Sequence, residues 1–155
     1  MAPAGPSDSQ RVAPDSRAAS TSAAAVAILV VDDDPTVLAM TSRLLRRAGV
    51  AVTALPSGRA AVRAIADGLA RPTLLLTDIE MPEMSGIELA ARVAALRPGV
   101  RIVMMTGDQA SARAARDHPD LVARVLLKPF TSEELLAATG LEAIDAEPVA
   151  PEDPR

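Results

Sequence analysis

Leu74-Leu75-Leu76-Thr77-Asp78-Ile79-Glu80-Met81-Pro82-Glu83-Met84-Ser85-Gly86 is the stretch that decides how the chain folds. An apolar run ends abruptly in an acid, and a proline, a small polar residue and a glycine follow. A short apolar run bounded by turn signals reads as a strand buried on both faces. Asp78 then stands at the carboxyl end of that strand, the edge at which open α/β sheets bind ligands. Pro82 fixes φ in the next loop, and Gly86 is expected to supply an unusual φ there. A lone acid after a strand could also do no more than cap a helix. The rest of the chain decides between the two.

Upstream, Ala27-Ile28-Leu29-Val30-Val31 is a first buried strand that runs into Asp32-Asp33-Asp34-Pro35. Proline at a first helical position with an acid before it starts a helix, so Asp34 is the expected cap. Val37, Leu38, Thr41, Leu44 and Leu45 recur at helical spacing, Arg43, Arg46 and Arg47 gather near the end, and Gly49 stops the helix. Val50 to Leu55 is a weaker strand. Ser57 caps a helix over residues 58–68, with Val62, Ile65 and Leu69 expected on one face. Downstream of Gly86, Leu89, Val93 and Leu96 mark a third helix that ends by Pro98-Gly99. Val100 to Thr106 is a fourth strand, Ser111 to Asp117 a weak fourth helix, and residues 121–127 hold a fifth strand. Thr131 and Glu134 have capping-box spacing, with Phe130 and Leu135 at the staple positions. The fifth helix is expected to reach Ile144, interrupted by Gly140.

Five strands alternating with five helices predict an α/β fold: a flavodoxin-like, doubly wound, five-stranded parallel sheet in the order 2-1-3-4-5. Residues 26–144 are the expected domain. Residues 1–25, rich in Ala, Ser and Pro, and the acidic residues 145–155 are expected to be disordered tails. The chain of 155 residues has 49% hydrophobic residues but only one aromatic, Phe130, so its core must be aliphatic. Without cysteine it has neither a disulfide framework nor a thiolate metal site, which fits a reducing compartment, and a cytoplasmic location is expected. A net charge of −4 speaks against a general nucleic-acid or anionic-membrane surface, and no apolar run is long enough to span a membrane.

In the expected order, the carboxyl ends of strands one, three, four and five bring Asp32 and Asp33, Asp78, Thr106 and Lys128 to one edge. Clustered carboxylates repel and raise one another's pKa unless a cation is present. Mg2+ suits one or two carboxylates plus waters and a phosphate. A carboxylate beside such an ion can attack phosphorus and become an acyl phosphate. Lys128 offers a point charge for phosphoryl oxygens and Thr106 a hydroxyl donor. Each residue taken singly has an ordinary explanation as a loop acid, a strand end or a surface lysine. All of them on the correct strands at one edge do not.

This constellation resembles the receiver domain of two-component response regulators, of the chemotaxis-regulator type. The residues that carry the resemblance are Ile28 to Pro35, Asp78 to Gly86 and Lys128-Pro129-Phe130. The resemblance implies that Asp78 is the phosphoacceptor. It implies that Asp33 and Asp78 bind Mg2+ directly together with the backbone carbonyl of Glu80, that Asp32 acts mainly through water, and that Thr106 and Lys128 bind the phosphoryl group. It also implies a cis bond before Pro129. The implied partners are a histidine kinase or a histidine phosphotransfer protein and a downstream protein; neither nucleic acid nor membrane is expected. Phosphorylation and slow hydrolysis are then partly self-catalysed, in a signalling domain rather than a metabolic enzyme. A free-standing regulator or phosphate sink is the first reading, and a piece of a hybrid histidine kinase the second. A haloacid-dehalogenase-like phosphatase would need Asp where Glu80 stands, and a phosphorylation-independent adaptor would not need the acidic set.

One departure bears on signalling. The family commonly carries Tyr or Phe three residues before its lysine, and Val125 stands there. The usual aromatic rotamer switch cannot operate in that form. His118, in a polar loop beside Pro119, is expected to be solvated, and Met81, Met84, Met104 and Met105 to pack.

Overall fold

All five residues of strand β3, Leu74–Asp78, are buried, and this sets the architecture. Their side chains alternate between two cores, as the pleat requires. Leu75 joins Leu29, Val31, Ile102 and Met104 on one face, while Leu74 and Leu76 join Ile28, Val30, Val103 and Met105 on the other. Helices must cover both faces. The computed structural model of the chain describes residues 25–141. In order, its elements are β1 (Ala27–Val31), α1 (Pro35–Arg47), β2 (Ala51–Leu55), α2 (Gly58–Ala66), β3, α3 (Gly86–Leu96), β4 (Arg101–Thr106), α4 (Gln109–Arg116), β5 (Arg124–Leu127) and α5 (Ser132–Thr139). The strands are parallel and lie in the order β2-β1-β3-β4-β5.

Ala61 and Ile65 of α2, Leu89, Ala90 and Val93 of α3 and Ala115 of α4 close one face. Leu45 of α1 and Leu135 and Ala138 of α5 close the other. Each large aliphatic side chain removed from water contributes about 1.5–3 kcal/mol, which lets a core without aromatics suffice. The helix starts are capped by side chains. Asp34 accepts from the backbone N–H of Thr36 and Val37, Ser57 from Ala60, Ser85 from Glu88 and Asp108 from Ser111. Thr131 and Glu134 form the expected capping box.

Some expected boundaries differ. Helix α2 ends at Ala66, so Leu69 lies beyond it and is 82% exposed rather than on its apolar face. Leu96, in the last turn of α3, is 44% exposed. Helix α4 begins at Gln109, ahead of the expected Ser111, because Asp108 caps it. Helix α5 ends at Thr139: Gly140 adopts the left-handed conformation, φ 75°, and terminates the helix instead of interrupting it. Residues 142–144, where that helix was expected to continue, lie outside the described residues, as do nearly all of the expected tails.

The loop after β3 also differs from its sequence reading. The left-handed residue there is Glu83, φ 65°, and not Gly86. Gly86 is required for another reason. A Cβ at this position would collide with the carbonyl oxygen of Asp78 and come within 2.9 Å of the Ile79 Cα. The N–H of Gly86 donates to the carbonyl of Ile79 at 2.8 Å. The absence of a side chain lets α3 begin hard against the end of β3, and so fixes the backbone that carries Asp78.

Candidate functional site

The parallel order places the ends of β1, β3, β4 and β5 side by side, and four chemistry-bearing segments meet there. Asp32 follows β1 and is 1% exposed; Asp78 ends β3 and is 5% exposed; Thr106 ends β4 and is fully buried. Asp33 is exposed at the rim. Oxygens of Asp32, Asp33 and Asp78 all lie within 4.8 Å of one another. Lys128, just past β5, reaches across the edge: its Nζ donates to Asp32 Oδ2 at 2.9 Å and to Asp78 Oδ1 at 3.1 Å. The other oxygen of Asp32, Oδ1, accepts from the backbone N–H of Asp34 at 2.9 Å, which orients the carboxylate towards the pocket. The Lys128–Pro129 peptide bond is cis, as expected from the resemblance.

Electrostatics follow from this packing. Burial pushes the Asp78 carboxyl up to about 6, against the hydrogen bond and charge of Lys128 and with the help of the charges of Asp32 and Glu80. Lys128 is opposed by its own burial, yet the hydrogen bonds and charges of Asp32 and Asp78 outweigh it and raise its pKa. The pocket therefore concentrates negative charge around one ammonium group. Asp108, at the exposed cap of α4, is held low by the backbone and side-chain hydrogen bonds from Ser111.

Thr106 does not face Asp78 with a free hydroxyl. Its Oγ1 donates to the Glu80 carboxylate, 2.7 Å from Oε1 and 3.0 Å from Oε2, and accepts from the N–H of Asp108 at 3.0 Å. The resemblance implies a role for Glu80 through its backbone carbonyl only, whereas its side chain also enters the site. Glu80 follows the bend at Ile79, past the end of β3, where no local sequence pattern assigns a carboxylate its partner.

The sheet order, the buried Asp32 and Asp78, the bridging Lys128 and the cis bond are accompanied by a match over nearly the whole described chain. The family model described as the response regulator receiver domain matches residues 28–140. The chain belongs to this family.

Relatives agree with that membership. The receiver domain is similar to the response regulator receiver protein CpdR of Brucella abortus (strain 2308), 37% identical over 108 residues that make up 69% of this chain and 88% of that one. It is also similar to the DNA-binding transcriptional regulator NtrC of Azospirillum brasilense, 31% identical over 70% of this chain but 22% of that protein. Among solved structures, the chemotaxis protein CheY4 of Vibrio cholerae is similar with a TM-score of 0.67 and 28% identity, covering 76% of this chain and 98% of that one. This receiver domain is thus a component of two-component signal transduction with a flavodoxin-like fold. Among its described residues no helix is long and apolar enough to cross a membrane.

Val125, at the family's usual aromatic position, pairs with Met104 across β4 and β5. It is half-buried and packs on the core under α2, α3 and α4. His118 is exposed in the loop after α4. Met84, Met104 and Met105 are buried and Met81 packs against the core, so the methionines serve packing.

Proposed function

We propose that Asp78 is the phosphoacceptor of this receiver domain. It accepts a phosphoryl group from a phosphohistidine of a histidine kinase or histidine phosphotransfer protein. The observation that carries this reading is the position of the Lys128 ammonium, 3.1 Å from one oxygen of Asp78 in a pocket it shares with Asp32 and Asp33.

The donor set fits Mg2+, because three carboxylate oxygens converge within 4.8 Å with no soft ligand among them. Asp33 and Asp78 would bind it directly with the backbone carbonyl of Glu80, and Asp32 mainly through water. When bound, the ion would neutralise charge on the phosphoryl oxygens and favour attack on phosphorus opposite the leaving nitrogen.

The chain's own groups do the rest. Asp78 attacks through a carboxylate oxygen, a new O–P bond forms, and the P–N bond to the donor imidazole breaks. The imidazole nitrogen departs with the electron pair. With its carboxyl near 6, Asp78 is largely ionised at neutral pH and therefore nucleophilic. Lys128 already spans Asp32 and Asp78, so its ammonium is placed to meet a phosphoryl oxygen with little reorganisation. Thr106 can donate to another phosphoryl oxygen once its hydroxyl leaves Glu80.

Slow self-catalysed hydrolysis of the acyl phosphate, by water attacking phosphorus with the Asp78 carboxylate as leaving group, belongs to the same proposal. Output passes through protein contacts, not through turnover of a substrate. DNA binding is named for relatives such as NtrC, of which this chain spans about a fifth, and is not carried over. CpdR, 88% of whose length is matched, supports the reading of a free-standing regulator; a cytoplasmic location is part of the same proposal.

The test is incubation of the full chain with Mg2+ and a small acyl phosphate, followed by intact-mass measurement. One phosphoryl group is expected on the wild type and none on Asp78→Asn. Equal labelling of the two would overturn the assignment.

A further inference from the structure

The fold sorts the charges of residues 25–141 by edge. These residues hold thirteen acidic and thirteen basic side chains. Ten of the acids lie at the carboxyl edge of the sheet, in the loops after the strands and the first turns of the helices, with only Arg59 and Lys128 among them. Nine arginines lie at the opposite, amino edge, in the last turns of the helices, the loops after them and the strand starts. Asp67, Asp117 and Asp120 are the acids there. All five helices run from the first edge to the second, and helix dipoles favour acids at the start and bases at the end. Arg71, Arg101 and Arg124 lie outside the helices, so the dipoles do not account for them.

The amino edge is basic and apolar at once. Arg71, Arg101, Arg116 and Arg124 are exposed, and among the described residues none of the four has a carboxylate within ion-pair distance. Arg46, at the same edge, donates to the Val52 carbonyl at 3.4 Å. Val26, Leu69 and Leu96 are 41%, 82% and 44% exposed, and of the exposed large hydrophobic residues only Met40 lies elsewhere. The N–H of Thr73 donates to the Ala27 carbonyl at 2.8 Å and that of Arg101 to the Thr73 carbonyl at 3.0 Å. Val26, Arg71 and Arg101 therefore introduce or begin neighbouring strands. Helices α2 and α3 pack side by side, which puts the segment after α2, with Leu69, next to the end of α3, with Leu96. Arginines among exposed aliphatic groups are the composition of a protein interface.

Such a surface calls for carboxylates with apolar groups between them. The carboxyl edge of the same domain supplies both. Asp33, Asp34, Glu83, Asp108 and Glu133 are exposed there, and so are Pro35, Pro82 and Pro129. A nucleic acid would offer phosphates but nothing apolar to cover Leu69, and no aromatic side chain lies at the amino edge to stack a base.

We infer that the amino edge of one copy seats on the carboxyl edge of a second copy, head to tail. The two surfaces differ, so the contact is heterologous and adds copies in a row instead of closing as a pair. Five strands about 4.8 Å apart, with a helix layer about 10 Å thick on each face, give an edge on the order of 600 Å2, the size of a weak, reversible contact. While it lasts, the arginines of one copy stand over the mouth of the Asp78 pocket of the next. The pairing itself does not depend on which acid is phosphorylated.

Sedimentation velocity of the full chain at low salt tests this, with NMR shifts followed over the same concentration series. Wild type should associate with a dissociation constant of about 0.1–1 mM. Shifts should fall on both edges, at Leu69, Arg71 and Leu96 and at Glu83 and Asp108. In about 0.5 M NaCl, where the Debye length falls to about 4 Å, association should weaken at least tenfold. Arg71→Gln/Arg101→Gln/Arg124→Gln keeps only the acidic edge, and Glu83→Gln/Glu88→Gln/Glu133→Gln only the basic one. Each variant alone should stay monomeric, and the two mixed should form a 1:1 complex and nothing larger. Restored association in the mixture also shows that both variants are folded. A wild type that remains monomeric at low salt would overturn the inference, whether residues 142–155 or nothing at all covers the basic edge. So would a mixture that does not associate, a variant that self-associates like wild type, or shifts confined to other faces.

Discussion

Thr106 Oγ1 lies 2.7 Å from Glu80 Oε1 and donates to it. The hydroxyl that should meet an incoming phosphoryl oxygen is thus already engaged by a carboxylate, which also adds negative charge beside Asp78. Capture of a phosphoryl group requires this bond to break.

Replacing Glu80 with alanine removes both obstacles and leaves the backbone carbonyl in place. The bond is charge-assisted but reaches an exposed side chain. Its loss should therefore tighten binding of beryllofluoride with Mg2+ by about three- to tenfold, or about 0.7–1.4 kcal/mol. Titration followed by NMR or calorimetry measures it. Unchanged or weaker binding by Glu80→Ala would show that the contact does not restrain Thr106.

The raised pKa of Asp78 makes a signed prediction for the metal-free protein. The carboxyl moves from 3.8 unfolded to about 6 folded, so the folded state binds the proton more tightly. Stability from this group is complete below pH 3.8 and is lost as pH rises through 6. At neutral pH the ionised Asp78 is a cost. Asp78→Asn should therefore be more stable than wild type at pH 7 by about 1–2 kcal/mol, since solvent at the pocket mouth and the lost Lys128 pairing reduce the full effect. The gain should vanish near pH 4. Urea unfolding in chelator at both pH values checks this, and a pH-independent difference would contradict it.

Gly86→Ala places a methyl group against the Asp78 carbonyl and the Ile79 Cα. Because the obstacle is backbone, relief requires α3 to move off β3. A loss of about 2–3 kcal/mol is expected, with slower phosphorylation beyond what unfolding explains. Wild-type stability in thermal melts would mean that the α3 start adjusts freely.

Val125 predicts where a response travels. A β-branched side chain packed on Met104 and its neighbours has no long lever to swing inwards. Beryllofluoride with Mg2+ should perturb amides of Glu80–Ser85 and Gly107–Ala110, with little change at Val125. Val125→Tyr should leave phosphorylation intact. Large concerted shifts across α4 and Val125 in the unmodified protein would show that valine transmits the signal.

The parts of the molecule that sequence makes legible are those where one local pattern has one solution. Buried strands such as Ile28 to Val31, proline and acid at the start of α1, and the Thr131–Glu134 box each dictate their own geometry. Once five strands alternate with helices, the sheet order gathers Asp32, Asp78, Thr106 and Lys128 without further information. Apolar periodicity puts Leu69 on the face of α2 because it does not report where a helix stops; only a cap does, and Asp67 already ends α2. In sequence Gly86 reads as a conformational glycine, because collision with a distant backbone leaves no local trace. The Glu80–Thr106 contact escaped for a related reason. A carboxylate beside a strand end has many partners to choose from, and only the folded edge shows that Thr106 is the one within reach.

The most direct measurement locates the phosphoryl group chemically. Borohydride converts an aspartyl phosphate to homoserine, which marks the acceptor in a peptide map. After reaction with Mg2+ and a small acyl phosphate, homoserine should appear at position 78 alone and at none of the neighbouring acids Asp32, Asp33 and Glu80. Homoserine at position 32 or 33, the corresponding reduction product at position 80, or no reduced residue on a protein whose mass shows a phosphoryl group, would contradict the assignment of Asp78.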